Sequence, residues 1–153
     1  MARLALKIPP LLLVIIFALL MWLSHHYLPV ISLTLGWRVG LFFIFTFIAI
    51  LLIALGALAF RQAQTTVNPT KPETSSALVN NGIYQYTRNP MYVGMAAVLI
   101  GWSCFLASPL TLVFVIGFVF YLNQFQIKPE EKALVKIFND EYLNYCQQVR
   151  RWL

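Results

Sequence analysis

The chain has 153 residues, 60% of them hydrophobic and 10% charged, where soluble domains run at roughly 45–50% and about 25%. A length near 150 residues forms one domain, and with so few charges most of its surface must meet lipid, which argues against a water-soluble globule. The formal charge of +6, eleven Lys/Arg against five Asp/Glu, is spread between apolar runs rather than gathered on a soluble face, so nucleic acid is not the expected partner.

Four apolar runs follow in order. The first, Ile8 to Leu23, opens with Pro9 and Pro10, which suit a helix start. Arg3 and Lys7 resemble the basic end of a signal peptide, but no small-residue cleavage site follows before His25 and His26, and the run reads as an uncleaved membrane helix. The second, Val39 to Phe60, is about 33 Å long as a helix, enough to cross a hydrocarbon core of about 30 Å. The third, Met91 to Ala107, and the fourth, Leu110 to Leu122 with a polar extension through Gln126, are parted only by Ser108 and Pro109, which predicts an antiparallel hairpin. Gly36, Gly40, Gly56, Gly94, Gly101 and Gly117 are expected to permit close helix approach, with Gly94 also bearing on a pocket. Trp22, Trp37 and Trp102 read as interfacial or packing residues.

The basic residues set an orientation, because Lys and Arg accumulate on the cytoplasmic side. Arg3 and Lys7, then Arg61, Lys71 and Arg88, then Lys128, Lys132, Lys136, Arg150 and Arg151 fall on one side, and only Arg38 on the other. Four crossings then leave both termini and the long Arg61 to Asn89 connection cytoplasmic, and any chemistry belongs there. A connection of that length in a compact chain is usually functional or disordered. Turns are expected at Thr65-Thr66-Val67-Asn68-Pro69 and Asn81-Gly82, with a short helical turn over Ser75 to Val79.

At the end of that connection, Asn89 is predicted as the N-cap and Pro90 as the first residue of the third helix. A guanidinium at Arg88 beside a helix start makes a site for a carboxylate or phosphate, and Tyr84, Tyr86 and Tyr92 offer faces that attract a cation. Anion and cation sites side by side suit a zwitterion. The same residues serve equally as a cap, a headgroup anchor and an interfacial aromatic belt. In the tail, Pro129 is expected to start a helix whose first turn carries Glu130 and Glu131, which complement its dipole. Leu134, Phe138, Tyr142, Tyr145, Val149 and Trp152 follow at spacings of three and four, an amphipathic pattern expected to lie over the pocket. Cys104 and Cys146 read as free thiols. His25 and His26 have no Cys, Asp or Glu nearby, so no metal site is expected.

Leu78-Val79, Gly82-x-Tyr84, Arg88-Asn89-Pro90-Met91-Tyr92-Val93-Gly94, the hairpin, and Glu130-Glu131 followed by Phe138-x-x-Glu141-Tyr142-x-x-Tyr145 together resemble the isoprenylcysteine carboxyl methyltransferase family, related to the phospholipid methyltransferases. The likeness covers about residues 65–150. It implies an all-α integral membrane enzyme with about four transmembrane helices and a C-terminal amphipathic helix, using S-adenosylmethionine without a dinucleotide-binding domain, and no Gly-x-Gly-x-x-Gly fingerprint occurs. The domain expected is a single one over 1–153, with two anchoring helices in 1–60 and the cofactor site in 61–153. By resemblance the cofactor contacts fall at Ser76, Leu78, Val79, Tyr84, Asn89, Pro90, Met91, Tyr92 and Glu130, with Arg88 as the catalytic, orienting residue and Gln126 and Glu131 on the acceptor side. Family members commonly have His where Ser76 and Asn89 stand and Arg in place of Gln126. The implied partner is a lipophilic or lipidated acceptor entering from the bilayer, with O-, S- and N-methylation left open. An NADPH-dependent membrane reductase and a non-catalytic membrane protein are the other readings.

Overall fold

The computed structural model describes residues 6–65 and 76–153. Arg3, Lys71 and the turn expected over 66–69 lie outside the described residues. Helices α1 (Pro10–His25), α2 (Leu35–Gln62), α3 (Pro90–Leu106), α4 (Leu112–Tyr121) and α5 (Lys128–Gln148) make up the fold, with short 3-10 turns at Gly82–Gln85 and Pro109–Thr111. Among the described residues there is no strand. The stretch 76–81 is irregular, so the helical turn expected there is absent and the turn at Gly82–Gln85 takes its place.

Two helices are long and apolar enough to cross a membrane, α2 and the continuous helix Pro109–Gln148. At 16 and 17 residues, α1 and α3 are short of the roughly 20 residues that a perpendicular span requires. The outer faces of α1, α2 and α4 are apolar: Leu11, Ile15, Leu19 and Leu23 of α1, Phe43, Phe47 and Ile50 of α2, and Val113, Ile116 and Phe120 of α4 are all exposed. An apolar belt of this extent is the surface of a helix bundle that meets a membrane or another protein.

Close approach of α2 and α3 sets the bundle. A Cβ on Gly94 would sit 2.9 Å from the Ala49 carbonyl oxygen and from Ile53 Cγ1, and one on Gly101 would lie 2.8 Å from Phe45 Cβ. With no side chain at these two positions, seven residues apart on one face of α3, the backbones meet directly. Gly56 instead makes room for the Met91 side chain, whereas Gly36 and Gly40 face open space and Gly117 meets only the edge of the Phe17 ring. The close-approach expectation therefore fails at Gly36 and Gly40, and Gly94 packs on α2 rather than on a pocket. Trp102 does pack, donating from Nε1 to the Ala18 carbonyl (3.0 Å), while Trp22 and Trp37 are exposed.

The hairpin between α3 and α4 is closed by buried hydroxyls. Thr111 Oγ1 lies 2.8 Å from Ser103 Oγ and 2.7 Å from the Ser108 carbonyl. At this end Arg38 donates from Nε to the Phe105 carbonyl (2.6 Å) and stands over the Phe105 ring, a cation at the C-terminal turn of α3.

Pro129 does not start a helix. The chain runs through it without interruption, using a π-helical turn at Leu122–Ile127. Proline has no N–H and its ring excludes the carbonyl four residues earlier. That carbonyl, on Phe125, is taken instead by the Leu6 N–H (3.1 Å). Because helix continues on both sides, Glu130 and Glu131 face no free helix N-terminus, and the dipole role expected of them is not what places them. Further on, Asn139 (φ 46°, ψ −121°) turns α5 sharply, and Val149 and Trp152 lie past its last residue.

Gly101→Val is expected to cost about 1–3 kcal/mol of stability in detergent by overpacking, while Gly40→Val leaves the melting temperature unchanged. Thermal unfolding of the two variants side by side checks this.

Candidate functional site

One end of the bundle gathers the N-termini of α1 and α3, the C-terminus of α2 and the π turn that leads into α5. Here lies a cavity of about 320 Å³. Its walls are Pro9, Pro10 and Leu11 on one side, Ala77 to Val79 with Tyr84 and Phe60 on another, Arg88, Asn89, Met91, Tyr92 and Met95 below, and Ile127, Glu130, Glu131, Leu134, Tyr142 and Tyr145 above. The lining is mostly apolar with a small acidic pole, the composition usual in small-molecule sites.

Tyr92 reaches the acidic pole from the first turn of α3, where Pro90 fixes the helix start. Its hydroxyl donates to Glu130 Oε1 (2.6 Å), and Gln126 Nε2, four residues before Glu130 on the same helix, donates to that same oxygen. Both donors are neutral. Burial therefore dominates and pushes the Glu130 carboxyl up to about 7, against the lowering by its two hydrogen bonds and with a further rise from the Glu131 charge. Glu131 stands in the opposite condition, held by Arg88 Nη2 (2.8 Å) and by both Nη2 (2.7 Å) and Nε (3.0 Å) of Arg151. Among the described residues no cation pairs with Glu130.

Tyr84 is fixed from two sides. Its ring meets Phe60 edge-on with centroids 5.5 Å apart, and its carbonyl accepts from Tyr145 Oη (2.6 Å). Burial raises the pKa of both tyrosines well above the usual phenol value, and both stay neutral.

Arg88 does not offer a free fork beside a helix start. Its Nη1 donates to the carbonyls of Cys146 (2.9 Å) and Val149 (2.8 Å) and its Nη2 to Glu131, which leaves the buried Nε without a partner. Asn89 occupies the N-cap position without capping. Its Nδ2 donates instead to the Arg151 carbonyl (2.9 Å), while its own N–H donates to Thr87 Oγ1 (3.2 Å).

Of the residues expected at a cofactor, Leu78, Val79, Tyr84, Asn89, Met91, Tyr92 and Glu130 line the cavity together, joined by Arg88 and Glu131. Ser76 does not: it is exposed and its N–H donates to Thr65 Oγ1 (3.0 Å). Pro90 packs towards Gly56, Gln126 stands behind Glu130, and Tyr86, 74% exposed, points away. As expected, α5 covers the cavity. Pro9, Pro10, Phe60, Met95 and Arg151 escape the sequence reading, since each is brought in by a partner remote along the chain. Among the described residues no cluster of three His, Cys, Asp or Glu side chains gathers to hold a metal.

Glu130 predicts a pH dependence of stability. A carboxyl raised from 4.5 to about 7 favours folding most below pH 4.5, and that contribution is lost as pH rises through about 7. Glu130→Gln cannot ionise, so its melting temperature relative to the parent should climb across this window; a constant difference would contradict the assignment.

Residues 37–141 match the phospholipid methyltransferase family. An uncharacterized protein of Haemophilus influenzae is 44% identical over 63 residues, 41% of this chain and 100% of that protein. The protein-S-isoprenylcysteine O-methyltransferase of Saccharomyces cerevisiae is 39% identical over 83 residues, 52% of this chain and 34% of the yeast protein. That of Mus musculus is 32% identical over 83 residues, 54% of this chain and 29% of the mouse protein. This chain thus spans about a third of the length of the two named methyltransferases. No solved structure matches it.

Proposed function

Because the chain belongs to the phospholipid methyltransferase family, we propose that it is a membrane methyltransferase that binds S-adenosylmethionine in the cavity beneath α5 and methylates a lipophilic acceptor. The observation that carries this reading is the unpaired carboxylate of Glu130 in a mostly apolar cavity beside the rings of Tyr84 and Tyr92. A buried carboxylate without a cation, next to aromatic faces, suits a ligand that brings its own positive charge. The volume, about 320 Å³, is within the usual range for small-molecule sites.

S-adenosylmethionine, when bound, supplies a methyl group on an electrophilic sulfonium. In-line transfer of that group needs positioning and charge stabilisation more than proton transfer. Glu130, with Tyr92 and Gln126 fixing its orientation, holds the ammonium or the ribose hydroxyls. Leu78, Val79 and Met91 supply an apolar slot for the adenine, with Asn89 at the floor, Pro90 fixing the start of α3 beneath it and Ser76 preceding the 77–79 wall. Arg88 orients a carboxylate through its remaining Nε donor. Glu131 borders the side on which the acceptor arrives, and Gln126 acts there only through the Glu130 carboxylate it holds.

For the acceptor, the names of the relatives point to a carboxylate of the isoprenylcysteine kind. The apolar lip of Pro9, Pro10 and Leu11, with Leu11 65% exposed, supports entry of a hydrocarbon chain from the bilayer. The family's description favours a second acceptor, the amine of a phospholipid headgroup. We place four spans in the membrane, α1 and α3 crossing with the help of their flanking residues, in one domain to which Pro9 to Leu11 and Phe60 contribute along with 61–153. Lys7, Arg61, Arg88, Lys128, Lys132 and Lys136 mark the cavity end as cytoplasmic, with Arg38 opposite.

Calorimetric titration of the detergent-purified protein with S-adenosylmethionine tests the reading. Micromolar binding is expected, weakened about tenfold or more in Tyr92→Ala, which removes one of the two donors that hold the buried carboxylate. Arg88→Ala should lower methylation turnover more than it lowers the melting temperature. Absence of binding by folded protein would contradict the reading.

A further inference from the structure

The segment at and after the end of α5 is tied to the cavity floor by several polar contacts. Arg88 N–H donates to the Arg150 carbonyl (3.0 Å). Arg88 Nη1 holds the Cys146 and Val149 carbonyls, and Asn89 Nδ2 and Thr87 Oγ1 both reach the Arg151 carbonyl. Trp152 Nε1 donates to Asn123 Oδ1 (3.0 Å), across to the π turn. The break at Asn139 means that α5 is not a rigid rod from Lys128 to its end, so these terminal contacts, rather than helix continuity, fix where the tail lies.

Arg151 is the side chain that closes this strap. It does not line the cavity, yet it grips Glu131 with two parallel hydrogen bonds, and Arg88 Nη2 binds Glu131 Oε1 from the other side. A carboxylate shared between two guanidinium groups has one orientation that serves both. We propose that Arg151 is a positioning residue of the cavity: through Glu131 and the 149–152 strap it sets the placement of Arg88 and Asn89, and so the affinity of the site for its cofactor. The role rests on the reading of the cavity as a cofactor site.

The test measures S-adenosylmethionine affinity and backbone amide exchange on the same detergent-purified preparations of wild type, Arg151→Ala, Arg151→Lys and Lys136→Ala. Arg151→Ala is expected to weaken binding about three- to tenfold, the range for loss of a partly exposed but bidentate pair, with faster exchange at 87–89 and 149–151. Arg151→Lys keeps the charge without the fork and should recover only part of the affinity, and it carries the test if the alanine variant does not fold. Lys136→Ala removes an equal charge from the exposed face of α5 and should bind as wild type does. Unchanged affinity in both Arg151 variants overturns the role, as does a loss of affinity without faster exchange at 87–89. Failure of wild type to bind overturns the cofactor reading itself, and the role with it.

Discussion

Pro129 sits inside a helix that does not end, and much of the site depends on how the chain absorbs it. A proline within a helix removes one backbone donor and crowds the carbonyl four residues back. Here the turn before it widens into π geometry, and the Phe125 carbonyl so displaced is satisfied from the entry to α1 by Leu6 N–H. The extra residue in that turn changes the helical phase between α4 and α5. Residues on α4 that face lipid, such as Ile116 and Phe120, therefore do not dictate which face of α5 turns inward. Gln126 and Glu130 fall on the side of Tyr92, and Glu131 on the side of Arg88.

That placement puts two adjacent carboxylates in contrasting surroundings. Glu131 meets two guanidinium groups and is neutralised within the protein. Glu130, one residue away, meets only the neutral donors Tyr92 and Gln126, and burial raises its carboxyl accordingly. Glu131 spends its charge holding Arg88 and the tail in place, while Glu130 is left for a cation that the chain does not supply. The tyrosines around it stay protonated through burial, so they offer ring faces and hydroxyl donors without adding competing charge.

The parts of this arrangement visible in the sequence are those governed by local rules. The α2 run is legible because an uninterrupted apolar stretch admits few alternatives, and the start of α3 because Pro90 fixes its own φ and restricts Asn89. The spacing of Gly94 and Gly101 marks a close helix contact, but Gly36 and Gly40 look the same and face nothing, since which glycines meet a neighbour is decided by packing. Pro129 misleads because proline usually begins helices, and only the tertiary contact from Leu6 makes it tolerable within one. Arg151 reads as one more basic tail residue, its partner Glu131 being far along the chain. Asn89 falls where a cap belongs, yet its amide is claimed by a carbonyl that local sequence does not reveal.

The central claim is that the Glu130 carboxylate receives a cationic cofactor, and its most direct test is the retention of labelled S-adenosylmethionine at pH values on either side of about 7. Wild-type protein should retain more cofactor as pH rises through that value and the carboxylate ionises, whereas Glu130→Gln should retain little and show no step there. An equal step in both proteins, or wild-type retention in Glu130→Gln, would contradict the assignment.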